Sequence, residues 1–371
     1  MPILSIIVFL FLFGLVLLGS HGILYYSLVK FFAIENHTFK TGLLIIFFLL
    51  AISFILASLL AHFWENTFTK ALYLVSSIWL GILTNLILTI AMCWFSVWLL
   101  KTTGQKPNTI LLGSLFIGLA LLFSLYGIWN AFTPEIKEIS LRIKNLPAAW
   151  QHKKIIQLSD VHLGLIHDEQ FLSKVIQQVN SIHPDMVVIT GDLFDGMDGA
   201  LDKLAAPLNN LVAPKGIYFV TGNHETYVGR DTALQALAST PVHVLQNKMI
   251  IIDGLQLVGL DYSAMGEQGD ITTAMKHIPT FDPQKPSILL YHVPIHIDQA
   301  KVAGFNLMLS GHTHKGQMFP FGLITWLVYK GYDYGLHTEG DFSIYISSGV
   351  GTWGPPMRTG NNPEIVNITL E

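Results

Sequence analysis

Cysteine is almost absent from this 371-residue chain: there is one, Cys93, and it lies inside an apolar run. That excludes a disulfide framework and a thiolate metal site and is compatible with either side of a membrane. Charge is scarce as well, 12% of residues against 51% hydrophobic. The scarcity is uneven. Before Pro147 there are 8 Lys and Arg and 4 Asp and Glu, a net of +4; from Pro147 onward there are 13 and 21, a net of −8. An acidic second part lacks the electrostatic footprint of a nucleic-acid binder, so no nucleic-acid partner is expected. There is no internal repeat and no low-complexity tract. The start, Met1-Pro2-Ile3, has no basic n-region and no small-x-small cleavage site follows it. It reads as a retained membrane segment rather than a cleaved signal peptide.

What is present divides into two halves. A spanning helix needs roughly 20 mostly apolar residues. Four windows qualify, at 3–32, 43–64, 71–100 and 109–131, so that residues 1–132 form a four-helix transmembrane module of a multi-pass protein, expected in the cell membrane. Tyr25, Tyr26, Trp64, Trp94, Trp98 and Trp129 fall near the ends of these windows, where aromatic belts are expected. An even number of spans puts both ends of the chain on one side. Lys30, Lys40, Lys101 and Lys106 in two loops balance Lys70, Lys137, Arg142 and Lys144 on the opposite side, so loop charge assigns no orientation.

Residues 133–150 read as a connector, with Ile136, Ile139, Leu141 and Ile143 suggesting an amphipathic strand or edge segment. From 151 to 371 short apolar runs alternate with helical patterns. Ile155–Leu158, Met186–Thr190, Ile217–Val220, Ile288–Tyr291 and Leu307–Leu309 read as buried strands, and segments near 168–180, 199–211, 230–239 and 296–303 as helices. This alternation predicts an α/β domain with a largely parallel sheet. Lys248–Leu260, with Asp253-Gly254 at its middle, reads as a hairpin.

Each strong polar signal falls at the end of one of those strands: Asp160-Val161-His162, Gly191-Asp192 with Asp195, Gly222-Asn223-His224-Glu225, His292, and Gly311-His312-Thr313-His314. Loops at the carboxyl ends of parallel strands are where α/β folds place their sites. Carboxylate, imidazole and amide oxygen suit Mn, Fe or Zn. The i, i+2 spacing of Asp160/His162 and His312/His314 points both members of a pair to one face of an extended strand end.

D-x-H, G-D-x-x-D, G-N-H-E, a lone His and G-H-x-H, in this order over residues 150–371, resemble the calcineurin-like metallophosphoesterase family. The tail, Gly311–Gln317, Ser348–Gly351 and Pro355–Arg358, resembles the membrane-associated bacterial branch, which more often has Gly where Lys315 stands. The resemblance implies a four-layer α/β/β/α sandwich and two divalent metal ions. One would be held by Asp160, His162, Asp192 and His314, the other by Asp192, Asn223, His292 and His312, with Asp192 as the bridge. It casts His224 as the catalytic residue that steadies the transition state or protonates the leaving group. It casts Asp195 as the acid that orients a ligand such as His162. Two such cations clamp a phosphate and activate a water for in-line attack.

Four further readings stay open. Arg358 is either a solvated arginine or a clamp on phosphate in the substrate. Met318–Tyr329 is a buried hairpin or core element, or an apolar lip that dips into lipid beside the site. Met197, Asp198 and Trp353 would line such a mouth. His152, His167, His183, His243, His277, His296 and His337 read as ordinary polar residues, and Asp185 and Asp261 as turn or cap residues. The expected function is metal-dependent hydrolysis of a phosphomonoester, phosphodiester or pyrophosphate bond, on a lipid-linked or envelope substrate. The alternatives are a soluble nucleotide or small phosphodiester as substrate, or a non-catalytic membrane sensor or scaffold.

Overall fold

The four apolar stretches form helices α1 (Ile3–Phe31), α2 (His37–Phe63), α3 (Thr67–Thr102) and α4 (Thr109–Ala131), their lysines confined to the ends. The structure is a computed structural model that describes residues 3–196, 200–262 and 269–371. All four helices are long and apolar enough to cross a membrane. Asn36 and Asn66 cap the starts of α2 and α3, each accepting from backbone N–H groups of the first turn. The chain divides into two units, and Gly354–Met357 groups with the helices.

Several polar residues of the helical unit are buried and bonded across helices. Trp79 Nε1 donates to His21 Nε2 at 2.9 Å, Trp94 Nε1 to Ser27 Oγ at 2.9 Å and Asn85 Nδ2 to Ser124 Oγ at 2.9 Å. Where no water is at hand, a polar side chain must find its partner inside the protein.

The second unit is built on two six-stranded sheets. The first has the order β1 (Glu135–Leu141), β12 (Glu364–Leu370), β2 (Lys154–Leu158), β3 (Met186–Thr190), β4 (Ile217–Val220), β5 (Val242–Val244). The second has the order β10 (Gly335–Glu339), β11 (Phe342–Ile346), β9 (Leu307–Ser310), β8 (Ser287–Leu290), β7 (Leu255–Gly259), β6 (Lys248–Ile252). Strands β2 to β5 are parallel, as are β7, β8, β9 and β11. Antiparallel partners lie farther out.

Alternation along the strands makes the layers. Ile155 of β2, Met186 and Val188 of β3, and Ile288 and Leu290 of β8 fill the space between the sheets. Ile156, Leu158, Val187 and Ile189 face the other way, onto helix α5 (Glu169–Ile182). Leu289 and Met308 face outward from the second sheet into a third cluster with Ile271 and Phe305. The result is the α/β/β/α order. Between the sheets one buried polar side chain joins the two layers: Gln157 Nε2 donates to Ser310 O at 2.8 Å and to Thr190 Oγ1 at 3.0 Å.

Differences from the sequence reading have local causes. The stretch read as a connector carries β1, which pairs along its whole length with β12 as a member of the first sheet. The helix expected near 199–211 is a five-residue α-helix, Leu201–Ala205, followed by a 3-10 turn, Ala206–Asn210; Pro207 cannot donate the bond that would continue the α-helix. The hairpin is as expected, and its two turn residues, Asp253 and Gly254, have φ of 47° and 87°, the mirror-image turn whose twist matches the strands. Met318–Tyr329 is not core: Met318 is buried, but none of the helix Gly322–Val328 is. Met197 and Asp198 lie outside the described residues.

Candidate metal centre

The polar residues picked out in the sequence arrive from five strand ends and from both sheets. Asp160 and His162 follow β2, Asp192 and Asp195 follow β3, and Asn223 and His224 open the helix Asn223–Val228 after β4. His292 follows β8, and His312 and His314 follow β9. Their atoms form three groups, each with ligand atoms within 4.8 Å of one another: Asp160, His162 and His314; His162, Asp192 and His224; Asp192, His292 and His312.

The backbone that delivers them is not the one expected. Asp160, His162, Asp192, His312 and His314 have φ of 52°, 52°, 50°, 74° and 48°. These are left-handed conformations, which Asp and His tolerate better than bulkier residues but which still store strain. Convergence of the i, i+2 pairs therefore comes from turning the chain at each residue, not from the pleat of an extended strand. Close packing makes room for this. A Cβ at Gly222 would lie 2.1 Å from Asp192 Oδ1, and one at Gly311 would lie 1.9 Å from Ser159 Oγ, so neither position admits another residue.

Within the first group His162 Nε2 and His314 Nε2 are 3.0 Å apart, and His314 Nε2 is 3.4 Å from Asp160 Oδ1. In the last group His292 Nε2 is 3.0 Å from Asp192 Oδ2 and 3.2 Å from His312 Nδ1. The outer atoms of these rings are anchored. His292 Nδ1 donates to Thr190 O at 2.7 Å and His224 Nδ1 to Asp195 O at 2.6 Å, which leaves Nε2 of both rings facing the centre. Asp195 Oδ1 lies 3.4 Å from His162 Nδ1. Asp160 accepts from His312 N at 3.0 Å and from Ser159 Oγ at 2.5 Å.

Imidazole nitrogens that converge this closely, beside two buried carboxylates, form a donor set that a cation fits. Asn223 adds a sharper sign: its Oδ1 is buried and has no hydrogen-bond partner in the protein. A buried carbonyl oxygen left without a donor is costly unless something positive completes it. Burial disfavours charge on His292, yet the Asp192 carboxylate beside it overrides burial and raises the group to about 9. Burial, helped by the His292 charge, pushes His312 down to about 3. Burial and the His162 charge also lower His224, so its imidazole is neutral at neutral pH.

Two supporting residues escaped the sequence reading. Glu225 is fully buried, and its carboxylate accepts from four backbone N–H groups: Asp192 at 3.1 Å, Leu193 at 2.9 Å, Phe194 at 3.2 Å and Gly222 at 2.6 Å. It fixes the β3 loop against the β4 loop. Its place three residues after Gly222, at the third helical position, is the readable sign of such a capping role. Asn361 donates from Nδ2 to His314 O at 2.7 Å.

Arg358 is neither a solvated arginine nor an open phosphate clamp. It is fully buried and donates to Ser348 O at 2.8 Å, to Gly351 O at 3.1 Å through Nε, and to Asn361 Oδ1, with Nη2 3.3 Å from His314 Nδ1. It therefore braces the His314 loop from behind. Asp261 is more than a turn residue as well: it is buried, accepts from Thr221 Oγ1 at 2.5 Å and pairs with Arg230 at 2.5 Å. His167, read as ordinary, accepts from Thr352 N at 3.0 Å in the interior.

Asp192, Asn223, His224, His312 and His314 line a cavity of about 260 Å³, with Tyr227 and Trp353 as its aromatic walls. The His224 ring meets Tyr227 edge-on at 5.1 Å between centroids and Trp353 at 6.3 Å.

Two layered sheets with such a donor set at their strand ends define a metal-dependent hydrolase. Residues 153–316 match the family model described as calcineurin-like phosphoesterase. The chain is 36% identical to an uncharacterized metallophosphoesterase of Helicobacter pylori, over 69% of this chain and 70% of the relative. It is 35% identical to an uncharacterized metallophosphoesterase of Campylobacter jejuni, over 74% and 75%. A Bos taurus protein named transmembrane protein with metallophosphoesterase domain is 31% identical over 70% of this chain and 62% of its own length. The chain belongs to the calcineurin-like metallophosphoesterase family and is a metal-dependent phosphoester hydrolase.

Proposed function

We propose that the protein is a multi-pass membrane phosphoesterase of the cell membrane. In this reading it hydrolyses a phosphomonoester, phosphodiester or pyrophosphate bond in a lipid-linked or envelope substrate. Asp160, His162, Asp192 and His314 hold one divalent cation and Asp192, Asn223, His292 and His312 a second, Asp192 serving both. The observation that carries this is the buried, unpartnered Asn223 Oδ1 beside converging imidazoles and carboxylates. Mn, Fe or Zn suits these donors; when bound, the two ions supply Lewis acidity toward phosphate oxygens and lower the pKa of water.

The rest falls to the protein's own side chains. His224 is held by its Nδ1–H on Asp195 O, with Nε2 4.0 Å from Asp192 Oδ2. Its lowered pKa leaves Nε2 unprotonated in the free protein. The negative charge of a phosphate ester raises that pKa, so His224 takes up a proton with the substrate and gives it to the leaving oxygen. Asp195 keeps the His162 ring in place. Tyr227 and Trp353, both exposed at the mouth, offer apolar surface to the group that the phosphate carries.

The test is hydrolysis of a chromogenic phosphodiester by the full chain in detergent with added manganese. His224→Ala is expected to lower turnover by about 10²–10⁴-fold while leaving metal content unchanged. Equal rates in the variant and the wild type would overturn the role of His224. No rate in either would favour a non-catalytic binding protein.

A further inference from the structure

We propose that the helix Gly322–Val328 is an interfacial anchor: it inserts its apolar side chains into a lipid bilayer and so holds the metal centre at the lipid–water boundary. This rests on reading α1–α4 as membrane spans; it does not depend on which bond is hydrolysed.

The first observation is exposure. Leu323, Ile324, Trp326, Leu327 and Val328 are 65%, 55%, 56%, 68% and 64% exposed, and Phe319 and Phe321 just before them are 53% and 42% exposed. Elsewhere among the described residues of the second unit, large exposed apolar residues such as Val212, Ile251 and Val302 stand apart, and Tyr227 and Trp353 belong to the cavity mouth. Scattered ones need no explanation, whereas a contiguous cluster marks a surface that meets something apolar.

The second is the distribution of those side chains around the helix. A helix that docks on a protein carries one apolar stripe and turns its other face to water. Here positions 323, 324, 326, 327 and 328 spread over about 200° of the circumference at 100° per residue, and none of them is covered; Gly322 and Thr325 make the narrower side that faces the protein. With one side already docked on its own domain, so wide an uncovered apolar arc suits an apolar medium better than the flat face of a partner protein.

The third is charge and edge chemistry. From Lys315 to Tyr332 there is no acidic residue, and Lys315 and Lys330 bracket the segment. Lys315 Nζ sits 4.1 Å from the centre of the Tyr334 ring. Trp326 and Tyr329 lie between the two lysines. Aromatic rings flanked by lysines are what the boundary between headgroups and acyl chains selects, and the lysines complement anionic headgroups.

The helix is also built onto the metal centre. Thr313, between His312 and His314, donates from Oγ1 to Asp333 O at 2.6 Å, and Thr325 Oγ1 of the helix donates to Asp333 Oδ2 at 3.1 Å. At Gly316 a Cβ would come within 2.3 Å of Gly322 N, so the metal-bearing loop and the helix pack backbone against backbone. The Tyr329 ring meets the His312 ring edge-on at 6.2 Å. The second unit is tied closely to α4 in the chain: only residues 132–134 separate α4 from β1, a reach of about 10 Å of extended chain.

The experiment uses the full chain with its only cysteine replaced, Cys93→Ser, and one new cysteine at Leu327, reconstituted in vesicles of phosphatidylethanolamine and phosphatidylglycerol and carrying a small fluorophore. Leu122→Cys on α4 and Val302→Cys on the second unit, both exposed, are the lipid and water references. The label at 327 is expected to be quenched by nitroxide-bearing lipid as strongly as the label at 122, and several-fold less by aqueous iodide than the label at 302. Quenching by iodide equal to that at 302 would overturn the proposal. So would a label shielded from both quenchers, in a way that grows with the protein-to-lipid ratio, because a second copy would then cover the helix. Leu323→Cys repeats the test should Leu327→Cys fold poorly. Neither substrate nor metal enters the measurement, so a failed hydrolysis assay leaves the result standing, and the reverse holds too.

Discussion

The two units obey opposite rules of burial. In α3 the covered residues include Ser76, Ser77, Gly81, Asn85 and Cys93, while Val75, Met92, Phe95 and Trp98 face outward. In β3 and β8 the covered residues are Met, Val, Ile and Leu, with Thr190 and Ser287 as the polar strand ends and no charged residue in either strand. The difference is one of solvent. In the second unit apolar surface is removed from water; among apolar helices in lipid that drive is missing, and small and hydrogen-bonding residues make the close contacts instead. The helix Gly322–Val328 sits in the second unit and follows the rule of the first.

This contrast can be tested from its strongest consequence to its weakest. The metal centre is where the second unit concentrates buried charge, so Asp192→Asn is expected to abolish turnover and to lower metal content in both positions, read by elemental analysis of the purified protein. Full occupancy in that variant would remove Asp192 as the shared ligand. Next, Arg358→Lys keeps the charge but loses the planar fork that reaches Ser348, Gly351 and Asn361. Metal affinity should fall by about 10–100-fold, as for other residues that support a ligand, and the melting temperature should fall with it. Unchanged affinity would show that the His314 loop holds itself.

A paired substitution addresses the contrast directly. Leu122→Lys on α4 should cost about 3 kcal/mol of helix insertion, whereas Val302→Lys, also exposed, should stay within about 0.5 kcal/mol. Similar effects on expression and thermal stability would erase the distinction between the two surfaces. The smallest effect concerns pH. In the metal-free protein Asp192 holds a proton on His292 up to about pH 9. Metal needs that ring neutral, so affinity for the ion that His292 holds should rise about tenfold per pH unit below that value, one proton leaving His292 as that ion binds. A proton release of zero by calorimetry in two buffers would contradict it.

The legible part of this molecule was the part governed by local pattern. Uncharged windows, apolar strands and the polar residues just beyond them can be read one segment at a time, and so α1–α4 and β2, β3, β4, β8 and β9 stood out. Contacts between distant segments were not legible. Arg358 looked like a loop arginine because the carbonyls it binds belong to a turn formed only after β11 and β12 pair with their neighbours. Glu225 was visible inside its motif, but its four donors come from two loops some thirty residues apart. The left-handed backbone at Asp160 and His314 leaves no mark in residue type, since Asp and His also occupy ordinary strand ends. Gly322–Val328 is apolar enough for a core, and only the three-dimensional placement revealed that nothing covers it.

The position of β12 sets an order of events during synthesis. This strand lies between β1, with which it runs parallel, and β2, with which it runs antiparallel. The first sheet therefore has a gap between β1 and β2 until Glu364–Leu370 has been made, long after α1–α4. All seven candidate ligands precede β12 in the chain, and four of them, Asp160, His162, Asp192 and Asn223, follow strands of the sheet that it completes. A chain cut short before Glu364 would leave β1 and β2 with open edges in the same sheet, a form suited to aggregation and to proteolysis. Completion of the first sheet thus depends on β12, the farthest of its strands from β1 in the chain.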